Sequence, residues 1–307
     1  MPVSGMAPFG MPLYIAGAVL GSAVLHASWN AAAKAVPGRL LASLLIGVGS
    51  LLIGGVWSLV APMPAGPAWP YLLGSAALQT GYILLLTAAY AHGEFRQMYP
   101  LARGIAPVLV TAFSLVVLGE RLAMWHLAGI ALVVGALGVL VSVGTRGSGA
   151  RGSGTGVAGT RGYLLAIAAG VVIASYTVVD GLGVRLSETS AGYAAWQMLI
   201  HGPMVVVVCV LLAGRKQLGA WFSRGSQRVG WRIALIGVGG GILSGLTYAI
   251  VLWAQARASL SLVSALRETS VLFAGILGAL FFAEKLSARQ MLAAAGVVCG
   301  IILIQVA

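Results

Sequence analysis

"YPLARGIAPVLVTAFSLVVLGERL" (99–122) is repeated in pattern, at a constant offset of 164 residues, by "VSALRETSVLFAGILGALFFAEKL" (263–286). Each copy is an apolar run with one arginine near its start, Arg103 in the first and Arg267 in the second, and each ends in Glu, a basic residue and Leu. Apolar runs of this length are typical of membrane spans. A duplicated hydropathy pattern is typical of transporters built from inverted repeats. The two copies therefore predict a membrane protein with two related halves.

The composition of the 307-residue chain is that of a polytopic membrane protein. Apolar residues make up 60% of it and charged residues only 8%, whereas about 25% of residues are charged in soluble domains. The net charge of +12 would suggest nucleic-acid binding in a soluble protein. Here most basic residues fall between apolar runs, as the positive-inside rule describes. We expect a lipid bilayer around the chain and no nucleic-acid partner.

The hydropathy pattern predicts an all-α membrane protein with ten transmembrane helices, arranged as two inverted five-helix repeats. The predicted spans are 13–33, 40–61, 71–91, 98–118, 123–143, 163–182, 192–213, 233–254, 259–282 and 288–306. Because each half has an odd number of spans, the second half must insert upside down relative to the first.

A stretch rich in Gly, Ser and Thr separates the halves. It covers 144–162 and carries three arginines, a composition typical of a flexible linker. The predicted organisation is therefore a first repeat over 1–143 and a second repeat over 163–307. The first fourteen residues contain no Lys or Arg, so we expect no signal peptide and a retained first span.

Basic residues are divided unevenly between the two faces of this arrangement. Thirteen Lys and Arg residues fall in loops after odd-numbered spans, and three fall in loops after even-numbered spans. Because Lys and Arg favour cytoplasmic loops, the count predicts that both termini lie outside the cytoplasm. The expected location is the cytoplasmic, or inner, membrane.

Short motifs give the chain a resemblance to a known family. The fourth span of each half is followed by "GERL" (119–122) or "AEKL" (283–286), and then by a Gly-rich helix, "LAGIALVVGALGVLV" (127–141) or "LAAAGVVCGIILI" (292–304). This pattern resembles the EamA-type members of the drug/metabolite transporter superfamily. The resemblance implies a ten-helix carrier with a central cavity that moves small metabolites such as amino acids or drugs, often outward. For the branch that exports aromatic amino acids it implies cytoplasmic termini, which the basic-residue count opposes.

Polar side chains within predicted spans are candidates for lining the pathway, because such groups are costly against lipid. His26, Trp29 and Asn30 in the first span lie three and four residues apart and share one helical face. We expect this face to line the cavity, with an interhelical hydrogen bond as the alternative. Gln197 and His201 in the seventh span share a face in the same way, with a satisfied buried histidine as the alternative.

Aromatic residues within spans are the second group of candidates. Tyr82 lies near the middle of the third span, and Tyr176 in the sixth span corresponds to Trp29 in the first. In the eighth span Tyr248 is the more central residue. Trp253 lies toward the span end, where a cavity position and a position in the interfacial aromatic belt are equally expected.

Charged residues inside the spans are the third group. Arg103 and Arg267 lie near the starts of their helices, so each either snorkels to its own membrane face or attracts an anionic group there. Glu268 adjoins Arg267 and needs a partner or a proton, which favours a functional role for this pair. A carboxylate within a span can exchange protons near neutral pH, which would suit proton coupling at Glu268. Asp180 lies near its span end and is expected among lipid headgroups.

The two motif glutamates close their helices rather than lie within them. We expect Glu120 and Glu284 to bind backbone donors or a basic loop residue and to fix the turn into the next helix. No substrate contact is expected from either of them.

These features predict a secondary transporter that moves a small organic metabolite by alternating access. An amino acid with an aromatic or other apolar side chain suits a lining of aromatic rings, Arg and Asn, and export is the expected direction. The alternatives are export of drugs or other metabolites, and lipid flipping. The chain lacks Gly-x-Ser-x-Gly, His-Glu-x-x-His and a pair of intramembrane aspartates. We therefore expect no enzyme activity, catalytic residue, metal or cofactor, and a monomer should suffice for transport.

Overall fold

The computed structural model describes residues 11–92, 95–146, 160–222, 229–273 and 288–306. Within these ranges the chain is all-α, without a β-strand. The helices are α1 (Leu13–Ala35), α2 (Arg39–Ser58), α3 (Trp69–His92), α4 (Phe95–Val116), α5 (Met124–Arg146), α6 (Thr160–Leu186), α7 (Ser190–Phe222), α8 (Trp231–Gln255), α9 (Leu260–Arg267) and α10 (Ala288–Val306). A short 3-10 helix, Gly66–Ala68, precedes α3.

Length and apolar composition mark several of these helices as membrane spans. In the described part of the chain α2, α6, α8 and the Ser190–Trp221 part of α7 are long and apolar enough to cross a bilayer. Shorter apolar helices cover Leu101–Val116, Met124–Val139 and Met291–Gln305. Many large apolar side chains on these helices are exposed, which is typical of a surface that contacts lipid. The chain is an integral, multi-pass membrane protein.

The ninth predicted span is interrupted in the structure. Helix α9 ends at Arg267, Glu268 and Thr269 form a turn, and residues 270–273 are helical again. The N–H of Thr269 bonds to the carbonyl of Leu266, three residues back rather than four, so the chain is more tightly wound here. The prediction of one continuous helix from 259 was therefore wrong. The rest of that span, 274–282, lies outside the described residues.

The connection between the halves differs from the predicted linker at both ends. Residues 144–146 still belong to α5, and residues 160–162 already belong to α6. The intervening residues, 147–159, lie outside the described part of the chain.

Helix α7 consists of two helical pieces that meet at Gly214, so the predicted span end at 213 coincides with a break in the helix. Gly214 has φ 63° and ψ 171°, a conformation outside the helical region, and glycine adopts positive φ without a steric penalty. The helical piece that follows ends with Trp221 and Phe222. Trp221 is buried in a cluster with Val36, Leu41 and Leu45, so this piece is anchored against α2.

The helices of the two halves pack against one another in matched pairs. Three contacts between the halves each have a matching contact. The contact of α1 with α8 matches that of α6 with α3, and the contact of α2 with α8 matches that of α7 with α3. The contact of α4 with α6 matches that of α9 with α1. Helix α2 also packs on α7, and α5 packs on α10. Each of these contacts has a counterpart when the first five helices are exchanged with the last five. The interior is therefore built from both halves together.

Helix α2 approaches α7 and α8 at backbone distance. A Cβ atom at Gly49 would overlap the carbonyl of Val238 in α8, and one at Gly54 would overlap the backbone of Leu199 in α7. Small residues permit this kind of close helix packing in membranes. The close packing holds α7 and α8 in fixed positions, and these two helices carry part of the site described next.

Candidate functional site

A buried ion pair joins the two halves at the centre of the site. The Nε and Nη2 atoms of Arg103 on α4 lie 2.9 Å and 3.0 Å from the two carboxylate oxygens of Glu268, in the turn after α9. Two parallel bonds of this kind form the bidentate pairing that arginine makes with carboxylates. Arg103 is 7% exposed and Glu268 is 4% exposed. Neither charge is tolerated at this depth without its partner, so the pair fixes α4 to the end of α9.

Helix α1 contributes a histidine to the same cluster. The Nη1 atom of Arg103 lies 3.0 Å from Nε2 of His26. Because a guanidinium only donates hydrogen bonds, Nε2 accepts, and the proton of the neutral ring is on Nδ1. Trp29 packs edge-on against this ring at a centroid distance of 4.9 Å. Asn30 donates its side-chain N–H to the carbonyl of His26 at 2.8 Å, so that donor is used within α1.

Asp180 forms a second buried cluster, and its position corrects the sequence-based expectation. It is fully buried on α6 and accepts hydrogen bonds from Tyr193 Oη at 2.9 Å, from Gln79 Nε2 at 3.2 Å, and from Tyr248 Oη. The expected headgroup position was wrong because α6 runs to Leu186, beyond the predicted span end. Asp180 therefore lies among α3, α7 and α8.

Tyr248 connects Asp180 to a half-buried arginine. The guanidinium carbon of Arg267 lies 5.8 Å from the centroid of the Tyr248 ring, within the range of a cation–π contact. Tyr82 and Tyr176 form an edge-to-face pair beside it at 6.3 Å. Arg267 acts electrostatically on Tyr176 and Asp180. Tyr248 and Tyr176 therefore interact with this cation, and Tyr82 packs against Tyr176.

The remaining predicted residues are Gln197, Trp253 and His201. Gln197 is buried and donates to Ser75 Oγ at 3.3 Å, and Ser75 also accepts from Gln79, so Gln197 joins the Asp180 cluster. Trp253 lies apart, near the end of α8, where its ring contacts Tyr14. His201 is half-buried on α7, and its Nε2 has no hydrogen-bond partner among the described residues.

Glu120 binds the start of α9 rather than its own turn. Its carboxylate accepts hydrogen bonds from Ser259 Oγ at 2.6 Å, from the N–H of Leu260 at 2.9 Å and from Ser261 Oγ at 2.9 Å. A negative charge at a helix N-terminus is also favoured by the helix dipole. The predicted backbone donor is thus present, but it belongs to a helix of the other half. Glu284 lies outside the described residues.

Arg185 holds the other side of the same connection. It donates from Nε to the carbonyl of Gln255 at 3.0 Å and from Nη2 to the carbonyl of Ala258 at 2.9 Å. A cation at the C-terminus of α8 is favoured by that helix dipole. Arg185 and Glu120 therefore fix the segment between α8 and α9, which in turn positions Arg267 and Glu268.

Comparisons with known proteins identify a family match in the second half of the chain and a similar fold. Residues 160–306 match the model of the EamA-like transporter family. The second half of the chain is therefore similar to members of that family. It supplies Asp180, Tyr248, Arg267 and Glu268, so most of the charged site lies in the EamA-like part.

No curated protein matches the chain. A solved structure described as "Crystal structure of protein" is similar to it with a TM-score of 0.69 and 21% sequence identity, over 95% of this chain and 98% of that chain. At this identity the similarity shows the fold alone. The fold extends over nearly the whole chain, whereas the EamA-like family match covers only the second half.

Sequence reasoning missed two residues of this site. Tyr193 and Ser75 were not among the candidates, although both are fully buried around the Asp180 carboxylate. Ser75 and Gln79 lie four residues apart in an otherwise apolar helix, so they share one face. That spacing could have identified both residues. Tyr193 had no comparable signal, because one tyrosine near a span start is typical of the interfacial belt.

Replacing Glu120 with glutamine should destabilise the protein. Gln offers one acceptor oxygen instead of two and turns an NH₂ group toward the donors of α9. We expect the free energy of unfolding to fall by about 1.5–3 kcal/mol, the contribution of hydrogen bonds to a charged group. Thermal unfolding in detergent, followed by tryptophan fluorescence, measures the change. Glu188→Gln is the matched control, because Glu188 is exposed; equal unfolding midpoints for the two variants would contradict the assignment.

Proposed function

We propose that the protein is a secondary transporter that exports an amino acid with an aromatic or other apolar side chain across the cytoplasmic membrane, and that a monomer suffices. The family match supports a membrane transporter of small molecules. One observation supports the substrate class: Arg267 interacts with Tyr248 and Tyr176, and Tyr82 packs on Tyr176. A guanidinium suits a carboxylate, and aromatic rings suit an apolar side chain.

The proposed architecture is ten spans in two inverted repeats. The matched packing pairs of the helices and the offset between the two arginine-containing stretches support it. Alternating access would move helices of one half against the other around the central cluster. The Arg103–Glu268 pair crosses between the halves and so lies where such a motion would act. The uneven distribution of basic residues supports termini outside the cytoplasm.

Transport by the purified protein in liposomes tests the proposal. Uptake of radiolabelled L-phenylalanine should be saturable, should compete with unlabelled aromatic and branched apolar amino acids, and should be absent in protein-free liposomes. Counterflow with L-phenylalanine preloaded inside detects a carrier without any driving ion. Absence of both signals, combined with movement of a cationic dye or of a fluorescent lipid, would overturn the amino-acid assignment and indicate a drug exporter or a lipid flippase.

A further inference from the structure

Three carboxylates are buried in the described part of the chain. Glu120 caps the start of α9, and the other two have different kinds of partner. Glu268 is bound on both oxygens by the guanidinium of Arg103. Asp180 is bound by the hydroxyls of Tyr193 and Tyr248 and by the amide of Gln79. The first set of partners is charged, and the second is neutral. This difference decides which carboxylate can change its protonation state.

A guanidinium donates hydrogen bonds and cannot accept them. A protonated Glu268 would point its O–H at a group that cannot accept, and Arg103 would remain buried with an unpaired charge. A tyrosine hydroxyl both donates and accepts, and a glutamine amide carries an acceptor oxygen. A protonated Asp180 therefore finds an acceptor after a hydroxyl rotates or the amide of Gln79 turns. Asp180 can gain or lose a proton without losing its network, and Glu268 cannot.

Among the described residues, one cation acts on Asp180. The helices packed against α6 present Tyr193 from α7, Tyr248 from α8 and Arg267 from α9, while α3 presents the neutral Ser75 and Gln79. The charge of Arg103 on α4 is matched by Glu268. Tyr248 contacts both sides, with its hydroxyl on Asp180 and its ring beneath Arg267. A change of charge at Asp180 is therefore felt at Arg267.

We propose that Asp180 is the proton-binding site through which transport is coupled to a proton gradient. The proton passes from water on one face of the membrane to a carboxylate oxygen of Asp180, and it leaves to water on the other face. Ionised Asp180 partly neutralises Arg267 and protonated Asp180 does not, so the proton changes the electrostatic surroundings of Arg267. The coupling step rests on the proposed function, but the proton-binding site does not.

Infrared difference spectra of the purified protein in lipid, recorded across a pH titration, test the site without any substrate. The wild-type protein should show a pH-dependent carbonyl band of a protonated carboxylic acid. Asp180→Asn, which keeps the size of the side chain, should lose this band, whereas Asp180→Glu and Glu120→Gln should retain one. Persistence of an unchanged band in Asp180→Asn would overturn the assignment. If Asp180→Asn does not fold, the carbonyl band expected of Asp180→Glu is the remaining test of the assignment.

Flux measurements test the coupling. L-phenylalanine counterflow needs no gradient, whereas accumulation is driven by a pH difference, imposed with either sign because symport and antiport respond to opposite gradients. Wild-type protein should show both activities. Asp180→Asn should retain counterflow and lose pH-driven accumulation, and Asp180→Glu should retain both. Accumulation driven by pH in Asp180→Asn would overturn the coupling. Lack of any wild-type flux would instead count against the proposed function, and the infrared result would still decide the proton site.

Discussion

Arg103→Met will leave the protein poorly folded, and adding Glu268→Met will restore folding but not transport. The single change strands a carboxylate that is 4% exposed, which costs about 3–5 kcal/mol. That loss is a large part of the roughly 5–15 kcal/mol that stabilises a typical protein. The double change replaces the pair with apolar side chains of similar length, a replacement that is often neutral. Unfolding midpoints in detergent measure the effect on stability. Flux in liposomes measures the effect on transport.

The control for the Arg103→Met and double variants is a surface arginine. Arg232 is exposed and lies over the ring of Trp231, so Arg232→Met removes a cation without stranding a carboxylate. It should unfold at nearly the wild-type temperature. If Arg103→Met were equally stable, the ion pair would have no structural role. If the double variant transported normally, the pair would have no role in the transport cycle.

The fold class was predictable from sequence because membrane spans follow from hydropathy alone. The helix ends were less predictable, and α6 shows why. The predicted sixth span ends at 182, which leaves Arg185 in the following loop. In the structure its guanidinium binds carbonyls at the end of α8, so the helix continues past it to Leu186. That extension is what places Asp180 in the interior.

The central pair was only half predictable from sequence. A buried acid at Glu268 was expected to need a partner, and the adjacent Arg267 was the nearest candidate. Adjacent residues on a helix do not face each other, and the structure supplies Arg103 from α4 instead. Only the crossing of α4 with α9 brings these two side chains together, and hydropathy carries no information about which helices cross.

Arg267→Gln will greatly weaken substrate binding while leaving the fold intact. Its described contacts are with Tyr248 and Tyr176 rather than with a hydrogen-bonded carboxylate, and Asp180 keeps its neutral donors. The change removes the cation proposed to hold the ligand carboxylate. A hydrogen bond to a charged group contributes about 1.5–3 kcal/mol, so the half-saturating concentration of L-phenylalanine should rise about ten- to a hundredfold. Liposome uptake over a range of L-phenylalanine concentrations measures this rise.

The matched control is Arg257→Gln, which removes a similar contact at the protein surface. The guanidinium carbon of Arg257 lies 4.9 Å from the ring centroid of Trp253, but Arg257 is exposed. A cation–π contact at an exposed site contributes only about 0.5–1 kcal/mol, so stability should change little in this variant and uptake should be unchanged. Because both variants lose an arginine stacked on an aromatic ring, a difference between them isolates the position of Arg267. An equal loss of uptake in both would show that net charge, and not a carboxylate contact at Arg267, controls transport.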